Sequence, residues 1–229
     1  MPMQAAEKRR LEQENLRKER IRGIIECSFG LFAENGIENI SMSEIAEQSE
    51  IGVASLYRYF STKEDLAIEV AIYAWNLELK FFSELFDSEQ YKALSGFEQM
   101  KALLEVFEEA IISQRSFFSY IYYFDSFVKK EKIVPSRLEK YEQVISSVNN
   151  IMINALDKGK KDGSITLGGG RNDVIASASD EEIYFTLLHS LFCLGQKLSI
   201  SAELLAMDRA VEPNKQIRLL VNIMLESLR

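Results

Sequence analysis

Apolar positions recur at three- and four-residue intervals along nearly the whole chain, the spacing that turns one face of an α-helix toward a core. Ile21, Ile24, Ile25, Ser28, Leu31 and Phe32 form the first such face, and Gly36 supplies its C-terminal stop. Ser41 and Glu44 make an S-x-x-E capping box that begins a second, short helix. Ser61 with Glu64 repeats that pattern before a long helix reaching about Phe86. Phe97, Met100, Leu104, Phe107 and Ile111 mark the next helix, and an aromatic one follows over about 115–128. Leu138, Tyr141, Ile145, Val148, Met152 and Leu156 predict a helix ending near Gly163, and two more span about 180–198 and 213–228. The few β-branched runs are short and fall inside the helical period. The pattern therefore predicts an all-α fold of about nine helices.

Composition changes this picture only in places. The three prolines, at 2, 135 and 213, interrupt no periodic stretch, and the last two stand where a first helical turn accepts proline. The polar segment 164–179 reads as a mobile loop. Its Gly168-Gly169-Gly170 lacks the following Lys-Ser/Thr and the preceding strand of a phosphate loop. No apolar run is long enough to span a membrane, and the charged N-terminus lacks a signal peptide's apolar stretch, so a cytoplasmic protein is expected. Cys27 and Cys193 stand far apart in apolar surroundings and read as buried free thiols. With one histidine, His189, and no Cys/His cluster, no metal, no cofactor and no catalytic constellation is expected.

A net charge of −8 looks wrong for a partner of nucleic acid, but the charge is unevenly placed. Residues 1–22 carry seven Lys/Arg against four Glu, and Ile51–Lys63 holds two basic residues and no acid. Local field governs phosphate contacts more than the total does. Between Ser41 and Phe60 the sequence SMSEIAEQSEIGVASLYRYF places Ile45, Ala46, Leu56 and Phe60 inward on two short helices joined by a tight turn. That is the helix-turn-helix arrangement, with Ala46 small enough to let the helices approach. Val53, Ala54, Ser55, Tyr57, Arg58 and Tyr59 remain outside, a slim front fit for a major groove. Ser41, Ser43 and Lys63 are placed to meet phosphates. Patterning alone is also compatible with a generic amphipathic helical hairpin.

The stretch Ile24–Leu66 resembles the DNA-binding domain of TetR/AcrR transcriptional regulators, through "LFAENG", "S-x-x-E-I-A" and "LYRYFSTKEDL" at the family's spacing. The resemblance implies a three-helix DNA-binding domain over 18–78 with its helix-turn-helix at about 41–60, and a regulatory domain over 79–229, and it leaves 1–17 as a charged extension beyond what the family needs. It implies base contacts from Ser43, Val53, Ala54, Ser55 and Tyr57, and phosphate contacts from Ser41, Tyr59 and Lys63. Glu50 stands where the family often has glycine, which argues against a left-handed backbone there. Gly52 replaces a frequent Ser or Thr cap. The first twenty residues read either as a solvated, partly helical tail or as a basic arm on DNA.

Residues 81–127 hold 13 of the 23 Phe and Tyr residues, and over 115–127 they surround the helix, so some rings must face more than one core. A ligand cavity, a subunit contact or a helix buried on all sides would each account for this. The resemblance adds an effector pocket, for which Phe82, Phe86, Phe107, Phe118, Tyr122, Tyr123, Tyr141 and Met152 are the candidate lining. Glu84, Glu105, Glu108, Glu109 and Asp125 favour a small lipophilic effector, neutral or cationic, over an anion. The last two helices would pair with their copies in a homodimer through Phe185, Leu188, Phe192, Leu220, Val221, Met224 and Leu228. The implied function is a dimeric, non-enzymatic repressor on a pseudo-palindromic DNA operator, released by its effector. The rival is a family member with a filled core, controlled by a protein partner or by abundance.

Overall fold

The computed structural model describes residues 5–167, 174, 177–201, 204–206 and 208–229, giving only the helical backbone for 5, 6, 81–84, 147 and 148. Gly168-Gly169-Gly170, half of the expected loop and the Phe82 side chain lie outside the described residues. Among those described there are ten α-helices and no strand. They are α1 (Ala5–Asn35), α2 (Met42–Gln48), α3 (Val53–Tyr59), α4 (Lys63–Phe86), α5 (Glu89–Ala93), α6 (Gly96–Ser113), α7 (Arg115–Lys130), α8 (Glu139–Asp162), α9 (Asp180–Ser201) and α10 (Pro213–Leu228). The extra element is α5, five residues capped by Ser88, too short to show a period.

Local chemistry sets the ends. α1 stops at Gly36, whose φ of +81° takes the chain out of the helix while its N–H still donates to the Phe32 carbonyl. α8 ends in the same way at Gly163 (φ +75°). The box expected at Ser61 and Glu64 forms one residue later. Thr62 Oγ1 accepts from the Asp65 N–H, and Asp65 Oδ2 accepts from the Thr62 N–H, each at 3.1 Å. Both registers satisfy the rule, and the extended backbone of buried Phe60 after α3 is compatible with the later one.

One continuous core runs from Ile24 to Leu228. The C-terminal half of α1 packs on α7, where Phe29 and Phe32 meet the Tyr120 ring. Tyr120 is fully buried, and its hydroxyl donates to the Ala67 carbonyl of α4 at 2.6 Å. Two ion pairs run along the same seam, Lys130 to Glu38 at 2.5 Å and Arg137 to Asp65 at 2.8 Å. α6 crosses α8 with backbone almost touching, since a Cβ on Gly96 would sit 2.0 Å from the Gly159 nitrogen. Only glycine pairs tolerate that approach.

Candidate nucleic-acid interface and effector core

Ser41 caps α2 reciprocally. Its hydroxyl accepts from the Glu44 N–H at 3.2 Å, and Glu44 accepts from the Ser41 N–H at 2.7 Å. These bonds hold the exposed Glu44 carboxyl below the ordinary glutamate range. Ile45, Ala46 and Leu56 are at most 1% exposed and fix α2 against α3. The turn departs from expectation. Glu50 is left-handed, with φ +53°, although it is not glycine. Two bonds account for it: Ile51 N–H donates to the Ala46 carbonyl at 2.9 Å, and Glu50 N–H to the Glu47 carbonyl at 3.0 Å. This double closure, with Ile51 half-buried behind it, offsets a left-handed cost of roughly 1–2 kcal/mol.

Gly52 begins α3 without a side-chain cap. Val53, Ala54, Tyr57 and Arg58 are exposed, while Ser55 and Tyr59 are half-buried. Arg58 is folded back, its guanidinium donating to Ser55 Oγ at 2.7 Å. Ser41 and Ser43 are exposed at the start of α2. Lys63 is drawn inward instead: it donates to the Glu38 carbonyl at 3.3 Å and lies 5.9 Å from the Phe127 ring centroid. Burial lowers its pKa, with Glu131 and Glu38 pulling the other way. Residues 7–20 of α1 are exposed, continuous with the packed part of the helix. Arg20 shares a groove with Gln48–Ile51, so this overhang leaves the body beside the helix-turn-helix.

Among the described residues, the expected pocket side chains do not surround one chamber. Phe107, Phe118 and Met152 are buried, Tyr122 is exposed, and Tyr123 packs against Gly36 instead. Phe86 stands against Tyr91, with ring centroids 5.1 Å apart. Tyr141 accepts a hydrogen bond from Trp75 Nε1 at 3.2 Å and packs edge-on to Phe124. The aromatic helix packs between α1 on one side and α9 on the other, and leaves a third face with Tyr122 and Ser126 exposed. Gly195 of α9 makes room for the Phe118 ring, which would lie 2.8 Å from an added Cβ.

A void of about 10 Å³ lies among Trp75, Glu78, Leu79, Phe107, Ala110, Phe117 and Phe118, room for about one water. Glu78 was not foreseen. It is 7% exposed, and burial pushes its carboxyl up to about 7. One signal was available, because Ala67, Ala71, Ala74, Trp75 and Glu78 share a helical face that is otherwise apolar. Of the acids singled out from sequence, Glu105 points toward Lys101 and Glu108 to Arg218.

Residues 24–70 match the sequence profile of Bacterial regulatory proteins, tetR family. An HTH-type transcriptional regulator of Staphylococcus aureus (strain bovine RF122 / ET3-1) is 38% identical over 82 residues, which is 36% of this chain and 42% of that protein. Residues 24–70 are thus a tetR-type regulatory domain. The match spans less than half the length of such relatives. Beyond it the likeness is of fold. A putative transcriptional regulator from Saccharomonospora viridis in complex with choline superposes with TM-score 0.65 at 16% identity, over 90% of this chain and 96% of that one. The transcriptional regulator FadR from Bacillus subtilis in complex with stearoyl-CoA gives 0.61 at 14%, over 91% and 99%.

The chain divides its last two helices between two faces. Val221, Met224 and Leu228 of α10, with Leu188 of α9, lie in the chain's own core, at 8% exposed or less. Phe192 stacks on Trp75, with centroids 5.5 Å apart. Of the residues expected at a dimer interface, Phe185 is exposed and Leu220 half-buried, and Leu219 and Ile223 join them outside at 61% and 57% exposed. Cys193, expected inside, is exposed, and so is His189, both on the same side of α9 as Phe185. Among the described residues no helix is long and apolar enough to cross a membrane.

Proposed function

We propose that this protein is a TetR-family DNA-binding transcriptional regulator, a homodimeric repressor on a pseudo-palindromic operator that a small lipophilic effector releases. The observation that carries the reading is the outer face of α3. Val53, Ala54 and Tyr57 project from a helix anchored by fully buried Leu56, with no acidic side chain between Ile51 and Lys63. A slim, uncharged front of this kind suits base edges in a major groove. In this reading Ser43, Ser55 and Tyr57 contact bases, Ser41, Arg58 and Tyr59 serve phosphates, and Lys63 does so after release from Glu38. Residues 18–78 are the DNA-binding domain and 79–229 the regulatory one. The exposed stripe Phe185, Leu219 and Ile223 supports a two-fold pairing of α9 and α10.

Selecting bound fragments from random DNA tests the reading, with recovery of a two-fold-related motif as the expected result. Tyr57→Ala should then weaken the selected site by about 1–3 kcal/mol while leaving non-specific binding unchanged. Equal losses on specific and random DNA would refute the base-reading role. For the effector, solved structures of this fold hold choline and stearoyl-CoA, which supports a ligand-controlled switch. The small void favours the second reading, a filled core under the control of a partner or of abundance. Effector control requires side chains around Trp75 to open, with a ligand preferring the opened state.

A further inference from the structure

We infer that Glu78 and the rings around it form a cation site, and that it takes a small organic ammonium ion carrying an apolar body. This names an effector class for the regulator proposed above and rests on that reading. Glu78 lies one helical turn after Trp75, 93% buried by its 7% exposure, and lines the void with Trp75, Phe107, Phe117 and Phe118. Among the described residues no side chain donates a hydrogen bond to it, and no Lys, Arg or His lines the void. A buried carboxyl without a partner weakens a fold, and cores of this size are otherwise filled by apolar side chains. Such departures from a packed core mark functional positions.

The surrounding rings specify what would complete the site. Trp75 meets Phe117 edge-on at 5.0 Å and stacks on Phe192 at 5.5 Å, and Phe118 lies 5.4 Å from Phe192. Aromatic faces carry negative charge density and attract cations. A carboxyl among four or five of them repels anions and leaves a neutral ligand with its own buried charge unanswered. An ammonium ion satisfies both. Leu79, half-buried at the edge of the void, and Phe192 are the side chains whose rotation would enlarge it.

Trp75 is the sole tryptophan, so its fluorescence reports directly on the site. Full-length protein is titrated with benzyltrimethylammonium and with neopentylbenzene, its neutral carbon isostere. We expect saturable quenching by the cation, with a Kd about 10-fold or more below that of the isostere. Glu78→Gln should raise the cation's Kd by about 10-fold or more and leave the isostere's within about 2-fold. Glu78→Met is measured alongside and serves alone if the Gln variant does not fold. No saturable quenching up to about 10 mM cation, equal affinity for the two probes, or an unchanged Kd in the variants would overturn the site. Operator affinity is measured in parallel by anisotropy. Cation binding that leaves it unchanged would retain the site and refute its role as effector, and failure to bind any DNA would count against the regulatory reading alone.

Discussion

Replacing Glu78 by Gln should stabilise the protein, and by an amount that depends on pH. The side chain is held in an apolar setting that pushes its carboxyl from about 4.5 up to about 7. Between those values the folded state binds more protons than the unfolded chain, so stability falls as pH rises through the interval. The contribution is fully present below about pH 4.5 and lost above about pH 7, a change of about 3 kcal/mol at 1.36 kcal/mol per unit. Glutamine has nearly the same volume and never ionises. Glu78→Gln should therefore match the parent near pH 4.5 and exceed it by about 3 kcal/mol near pH 8. Urea unfolding followed by circular dichroism at the two pH values checks this, at one fixed protein concentration because association shifts apparent stability. Other carboxylates titrate alike in both proteins and cancel in the difference. A variant no more stable at pH 8 than at pH 4.5, relative to the parent, would mean that the carboxyl is solvated or paired and would refute the reasoning.

Glu50→Gly should stabilise by about 1 kcal/mol in the same urea assay, because glycine removes the left-handed strain while the two turn hydrogen bonds stay; a destabilised variant would show that the Glu50 side chain supports the turn. Leu219→Asp with Ile223→Asp should yield folded monomers by light scattering and abolish operator binding, whereas Met224→Asp should unfold the chain, its residue being 5% exposed in the core. Folded dimers of the double variant would place the interface elsewhere. Deleting residues 1–16 removes Lys8, Arg9 and Arg10 from the exposed part of α1 and should lower the salt dependence of operator binding by up to about 3 in log–log slope. An unchanged slope at several salt concentrations would make this segment a solvated overhang.

The helix-turn-helix was legible because several local rules agreed there: a reciprocal cap at Ser41, a small residue at 46, and buried positions at helical spacing. Glu50 was misjudged because a residue's own preference is weaker than two backbone hydrogen bonds closing on it together. The shift from Ser61 to Thr62 had the same origin, two overlapping boxes between which only tertiary packing chooses. α10 was ambiguous for a different reason. It is apolar on two sides, and sequence cannot say whether Val221 and Met224 or Leu219 and Ile223 face the chain's own α6. Glu78 escaped notice because a single acid on an apolar face resembles an ordinary interruption of the period until its burial is known.

α4 also has mechanical consequences. Its 24 residues make a rod of about 36 Å, with Lys63 some 22 Å from Glu78 at 1.5 Å rise per residue. The Trp75–Tyr141 and Tyr120–Ala67 hydrogen bonds grip it between those ends and act as a fulcrum. A wedge beside Glu78 that tilts the rod by about 5° about the middle of that grip, some 12 Å from Lys63, displaces its far end by about 1 Å. In a two-fold dimer the displacements of the two copies add to about 2 Å, against a half-site separation of about 34 Å. A void that holds one water is thus enough space to begin with, because the geometry of the rod, not the volume of the site, sets how far the reading heads travel.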